Sequence, residues 1–167
     1  MGAAVARIRR AIEEGERIAV YGDYDADGVT ATALVVQTLR ALGGQVVHYI
    51  PNREDEGYGL HEESLEELAR QGVQLVVTVD CGVRSVSEVA FANQIGLDVV
   101  VTDHHSVGTE MPPAVAIINP KREENCRRLD ELAGVGVAFK LAQALLVSTH
   151  DEGPGDDAAP LNAKDLL

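Results

Sequence analysis

Ile18-Ala19-Val20-Tyr21-Gly22-Asp23-Tyr24-Asp25-Ala26-Asp27-Gly28 passes directly from an apolar run into three carboxylates. The apolar part reads as a buried strand. The same arrangement recurs twice: Leu75-Val76-Val77-Thr78-Val79 runs into Asp80, and Asp98-Val99-Val100-Val101-Thr102 runs into Asp103-His104-His105. Carboxylates repel one another, so gathering them at the ends of neighbouring strands costs free energy unless cations neutralise them. Carboxylate oxygens mixed with imidazole nitrogen suit Mn²⁺, Mg²⁺ or a comparable divalent ion. The residues therefore point to a metal-dependent hydrolase.

Outward from these runs, helical and strand signals alternate. Val5-Ile8-Ile12 has helical spacing and ends around Gly15; Arg17 to Tyr21 reads as a strand, and Thr30 to Leu42 as a helix stopped by Gly43-Gly44. Gln45 to Ile50 is the next strand, closed by Pro51, and a polar loop over 51–61 leads to a helix from Glu62 to Arg70. A strand from Leu75 to Val79, a helix from Ser85 to Gln94 and strands from Asp98 to Thr102 and Val115 to Asn119 follow, before a helix from Val135 to Val147. Such alternation implies an α/β fold, a parallel β-sheet of right-handed crossover units flanked by helices on both faces. Sites in such sheets form outside the strand C-termini, where all three acidic runs fall.

At 167 residues and 17.8 kDa, 46% of them apolar, the chain fits one domain, 1–150, followed by a Gly/Pro/Asp linker from Asp151 to Pro160 and the start of a further element. Arg7, Arg9 and Arg10 have no apolar stretch behind them, which excludes a signal peptide, and no run approaches a membrane span. Cys81 and Cys126 are too few for a disulfide framework or a Cys-based zinc site, and free thiols suit a reducing, cytoplasmic setting. The net charge of −13, from 27 acidic and 14 basic residues, argues against this chain alone gripping DNA, though not against its cutting a delivered phosphodiester. The acidic run Glu62, Glu63, Glu66 and Glu67 reads as a solvated helix face.

Two other readings of the first acidic run fail. Counted from Asp23 as an EF-hand calcium loop, the twelfth position should be Glu and is Leu34, and the segment before it is strand-like. A haloacid-dehalogenase phosphatase would use Asp25 as nucleophile and Asp27 as acid/base, but Gly22-Asp23-Tyr24 intervene after the strand and no clear later Lys fits. His48, His61 and His150 lack comparable context and read as surface or structural.

The Asp-Tyr-Asp-Ala-Asp-Gly, Val-Asp-Cys-Gly and Thr-Asp-His-His runs, in this order, resemble the first three motifs of the DHH phosphoesterase superfamily. Ile50-Pro51-Asn52-Arg53, Glu56-Gly57-Tyr58-Gly59-Leu60, Ile118-Asn119-Pro120 and Leu132-Ala133-Gly134-Val135-Gly136-Val137-Ala138-Phe139-Lys140 resemble its RecJ branch, the single-strand-specific 5′→3′ DNA exonucleases of bacteria. The resemblance runs from about Ala4 to Leu146. It implies a Rossmann-like DHH domain with Asp25, Asp27, Asp80 and His104 as ligands of two divalent ions, Mn²⁺ or Mg²⁺, Asp80 bridging them. Asp103 would hold His104 in its metal-binding orientation, and His105 would face the scissile phosphate. Asp23, extra to the wider superfamily but typical of this branch, would ligate or only orient.

Arg53 and Tyr58 stand on a loop at the active edge, where Arg53 could contact phosphate and Tyr58 stack on a base, unless Arg53 merely pairs with the neighbouring acids. Gly134-x-Gly136 opens a helix whose free N–H groups could receive a phosphate, or it serves close packing alone. The implied substrate is single-stranded DNA in repair and recombination, the implied partners a single-strand-binding protein and a helicase. The family's fourth motif, another Asp, and its second domain are expected beyond Leu167. The chain thus reads as a piece with an imposed Met1-Gly2 start, weakly active or inactive alone. Rival readings are a small-substrate phosphoesterase of the same superfamily, for oligonucleotides, cyclic dinucleotides or pyrophosphate, and a non-catalytic replication module.

Overall fold

The structure, a computed structural model, describes residues 1–52, 57–122 and 131–147. The expected linker from Asp151, together with Arg53, Cys126 and His150, lies outside these residues. In chain order the elements are α1 (Gly2–Glu13), β1 (Arg17–Gly22), α2 (Ala26–Ala41), β2 (Gln45–Tyr49), α3 (Glu62–Arg70), β3 (Val73–Val79), α4 (Val86–Gln94), β4 (Asp98–Thr102), β5 (Ala116–Ile118) and α5 (Gly134–Val147). The five strands form one parallel sheet in the order β2-β1-β3-β4-β5.

Period-2 alternation decides what each face buries. Ile18 and Val20 of β1 and Val77 and Val79 of β3 join Ile8 of α1, Leu39 of α2 and Leu141 and Leu145 of α5 in one core. Ala19 and Tyr21 of β1 and Val76 of β3 face the other way, onto Leu65 and Leu68 of α3 and Val89 of α4. Both faces are therefore covered, which is why the strands read as near-continuous apolar runs. The strand order reverses direction between β1 and β3, and that switch point opens a crevice at the strand C-termini.

The register aims the acidic runs at one place. Gly22 of β1 pairs with Val79 of β3, and Val79 pairs with Thr102 of β4. The next residue on each strand is Asp23, Asp80 and Asp103, so three carboxylates follow three aligned positions. A one-residue slip would break the row and send each strand's side chains to the opposite covered face.

One boundary differs from the sequence reading with consequences for the site. Helix α2 begins at Ala26, not Thr30, inside the acidic run. Asp25 is its N-cap, extended at φ −83° and ψ 178°, and its side chain accepts from the Gly28 N–H at 2.9 Å. Gly28 reads locally as a breaker, but it is buried: a Cβ there would lie 2.5 Å from the Asp23 carbonyl oxygen. Asp27 therefore rides on the first helical turn instead of in a loop.

Candidate metal centre

Asp80 lies at the middle of the site. It is the only non-glycine with a positive φ, 62°, among the described residues, in the left-handed region that Asp tolerates better than most side chains. The turn around it is braced from below. Thr78 donates its hydroxyl to the Cys81 carbonyl at 2.8 Å, and Thr102 donates to the Thr78 carbonyl at 2.7 Å. Asp80 is only 1% exposed, and its Oδ1 has no hydrogen-bond partner. His104 Nε2 comes within 3.0 Å of that oxygen without the alignment of a hydrogen bond, and lies 3.7 Å from Asp27 Oδ2.

Around Asp80 the donor atoms form two overlapping groups. Ligand-type atoms of Asp23, Asp25 and Asp80 lie within 4.8 Å of one another, as do those of Asp80, His104 and His105. Asp80 is common to both. Asp23 is buried, and its Oδ1 accepts from the Tyr24 N–H at 2.8 Å. Burial raises its acid range above the usual value, and the charge of Asp25 adds to this.

Two sequence expectations change at this point. Asp103 holds the His105 ring, not the His104 ring: its Oδ1 lies 2.7 Å from His105 Nδ1, and reaches His104 through the backbone N–H alone, also at 2.7 Å. And the N-terminus of α5 already carries an anion from the protein itself. Gly134 N–H donates to Asp27 Oδ2 at 2.7 Å and Val135 N–H to Asp27 Oδ1 at 2.8 Å, so these amides do not await a phosphate. Gly136 serves packing, since a Cβ there would lie 3.0 Å from Leu132 Cδ2.

Tyr58 is 46% exposed, and its hydroxyl sits 3.0 Å from His105 Nδ1 with the ring edge-on to the imidazole. Stacking on a base would need only the free part of that ring. Burial and the surrounding carboxylates raise its phenol above the ordinary range. Sequence reasoning missed the amides of Gly134 and Val135 that hold Asp27, and the Asn119 amide, which donates to the His105 carbonyl at 2.9 Å. The Ile118-Asn119-Pro120 motif was the one signal for the latter. His48 is exposed and His61 precedes α3, and neither belongs to the clustered donor groups.

Burial, reinforced by the charges of Asp27, Asp25, Asp103 and Asp23, pushes the Asp80 acid up to about 8. An unfolded Asp releases its proton near 4. Between these values the folded chain holds a proton that the unfolded chain has lost, so stability falls as pH rises and levels off above about 8. The metal-free chain is expected to melt roughly 5–10 °C lower at pH 8 than at pH 5, a loss of a few kcal/mol. Thermal melts in chelator across that window measure it; a melting temperature that rises from pH 5 to 8 would refute the crowded-carboxylate account.

Residues 17–164 match the family model described as "DHH family, N-terminal domain". The chain is 49% identical, over 174 aligned residues, to the single-stranded-DNA-specific exonuclease RecJ of Bacillus subtilis (strain 168), an alignment covering 100% of this chain and 22% of that protein. Among solved structures, exonuclease RecJ bound to manganese matches with a TM-score of 0.79 and 38% identity, over 92% of this chain and 38% of that one. RecJ from Thermus thermophilus in complex with Mn²⁺ matches with a TM-score of 0.74 and 36% identity, over 88% of this chain and 20% of that one. The chain spans between a fifth and a third of the length of the curated RecJ relatives it matches.

Proposed function

Because the chain belongs to the DHH family, whose N-terminal-domain model spans residues 17–164, we propose that it is the metal-dependent catalytic domain of a single-stranded-DNA-specific exonuclease. The observation that carries this reading is Asp80: buried, in a left-handed conformation, with an orphaned oxygen among other carboxylates and an imidazole. A buried carboxylate oxygen without a partner costs free energy that a divalent cation would recover. The donor set fits such an ion, carboxylate oxygens joined by the imidazoles of His104 and His105, the chemistry of Mn²⁺ or Mg²⁺.

Asp23, Asp25, Asp27, Asp80 and His104 would hold the metal. When bound, divalent ions would supply Lewis-acid charge at a phosphodiester and raise the acidity of the attacking water. The chain's own residues do the rest. Asp27, fixed by two α5 amides, and Asp25, fixed as the α2 cap, arrive preorganised, so little reordering accompanies binding. His105, a member of the second donor group, would hydrogen-bond the phosphate as charge develops. Among the described residues no thiol nucleophile competes: Cys81 is buried, with its thiol pushed well above the ordinary range, chiefly by burial. With a net charge of −13, the domain attracts a polyanion only where bound cations offset its carboxylates.

No helix among the described residues is long and apolar enough to cross a membrane. A cytoplasmic setting, drawn from the cysteine usage, and a single-strand-binding protein and a helicase as partners, drawn from the family resemblance, belong to the same proposal.

The test is digestion of 5′- and 3′-labelled single strands, duplex and dinucleotides by the protein at its full encoded length, with Mn²⁺ and with chelator. Metal-dependent release of nucleotides from single strands, starting at the 5′ end, is expected. Cleavage confined to dinucleotides or pyrophosphate would reassign the site to a small-substrate phosphoesterase. Binding without cleavage of any of them would make it a non-catalytic module.

A further inference from the structure

We propose that Asp103 and Asn119 are positioning residues for His105, fixing its ring as the Nδ1–H tautomer and leaving Nε2 as the one ring nitrogen offered to a ligand. Asp103 is fully buried, and three backbone donors converge on it. Its Oδ1 accepts from the His104 and His105 N–H groups at 2.7 and 3.0 Å, and its Oδ2 from the Val83 N–H at 2.9 Å. A carboxylate held this way presents only acceptor character. His105 Nδ1 lies 2.7 Å from Oδ1, a separation that is attractive only if that nitrogen carries the proton. A bare Nδ1 would set lone pair against lone pair. The Tyr58 hydroxyl, 3.0 Å from the same nitrogen, then shares that proton as an acceptor and turns its own toward the Asp80 carbonyl at 3.5 Å.

Asn119 fixes the backbone that carries the ring. It is 1% exposed, donates from Nδ2 to the His105 carbonyl at 2.9 Å, and accepts from the Lys121 N–H at 2.8 Å. The Asp103 N–H donates to the Ile118 carbonyl at 3.0 Å, so the ends of β4 and β5 are tied together on either side of His105. The Ile118-Asn119-Pro120 run thereby acquires a task. Free imidazole side chains prefer the opposite, Nε2–H tautomer, so the protein imposes this setting, and it gives an approaching phosphate the same nitrogen each time.

What Nε2 meets rests on the nuclease reading above; the tautomer does not. In the 167-residue chain labelled with ¹⁵N-histidine, in chelator and at a pH where the ring is neutral, two-bond proton–nitrogen correlation should show His105 protonated at Nδ1. His105→Gln identifies its signals. A ring protonated at Nε2 in the unaltered chain would overturn the proposal at once. In Asp103→Ala the signals should move toward the Nε2–H pattern, and an unchanged Nδ1–H ring in a folded variant would overturn the role of Asp103. Should that variant not fold, the isosteric Asp103→Asn takes its place with the same expected movement; Asn119→Asp tests the second residue, with a carboxylate oxygen facing the His105 carbonyl. In the protein at its full encoded length it should lower kcat on single strands by about tenfold or more, with KM and Mn²⁺ stabilisation retained. Unchanged kcat, or loss of Mn²⁺ stabilisation, would overturn the role of Asn119. Absence of nuclease activity in the unaltered protein would sink the proposed function while leaving the tautomer measurement to judge the ring.

Discussion

Asp80→Asn is expected to make the metal-free chain more stable and at the same time to abolish its response to Mn²⁺. The two effects have one cause. The Asp80 acid is buried among Asp27, Asp25, Asp103 and Asp23, which holds its proton in the folded chain up to about 8, so it costs the fold free energy that grows from the usual carboxylate range up to that pH. Asn keeps the shape and tolerates the φ of 62°, while removing the charge. The metal-free melting temperature at pH 8 should rise by several degrees, at roughly 2–4 °C per kcal/mol. Saturating Mn²⁺, which should stabilise the unaltered chain by ligand linkage, should leave the variant unmoved, because Asp80 belongs to both donor groups. In the protein at its full encoded length, cleavage of single strands should fall about 10³-fold or more, in line with losing a group that acts on the transition state. A variant that keeps its Mn²⁺ shift would remove Asp80 from the metal site, and one that loses stability would remove the electrostatic argument.

How far the sequence reaches into this site depends on the range of the interaction. Strand runs are local patterns, so the sheet, both covered faces and the row Asp23, Asp80, Asp103 follow from reading β1, β3 and β4 correctly. The start of α2 was missed because Asp25-Ala26-Asp27-Gly28 carries turn residues, and only the burial of Gly28 against Asp23 makes helix the better solution there. What could not be read is the traffic between distant backbone and side chain. Asp27 accepts from amides at Gly134 and Val135, more than a hundred residues away, and no periodicity encodes such a bond. The same holds for the choice of Asp103 between its two histidines, since His104 and His105 are both close enough in sequence and only the loop's fold decides. Motif order named the residues; the backbone assigned their partners.

Gly134→Ala tests that long-range traffic, because local propensity and tertiary context predict opposite signs. At the start of a helix, Ala in place of Gly favours helix by up to about 1 kcal/mol. Here a Cβ would lie 2.5 Å from Asp80 Oδ1 and 2.6 Å from its Cγ, and a buried carboxylate on a braced turn cannot swing aside. Either α5 retreats and loses the amide bonds to Asp27, or Asp80 is driven off its place. Both break the cluster that would receive the ion. The variant is expected to be destabilised by about 1–3 kcal/mol, the usual cost of forced overpacking, and to lose most of its Mn²⁺ stabilisation. Gly136→Ala is the control, since its Cβ would press on the Leu132 side chain, which can yield, and should leave the Mn²⁺ shift in place. Thermal melts of both variants with and without Mn²⁺ measure the difference. If Gly134→Ala melts higher than the unaltered chain and still responds to Mn²⁺, α5 does not bear on the cluster as this geometry requires, and Asp27 would have to be held by something other than the α5 amides.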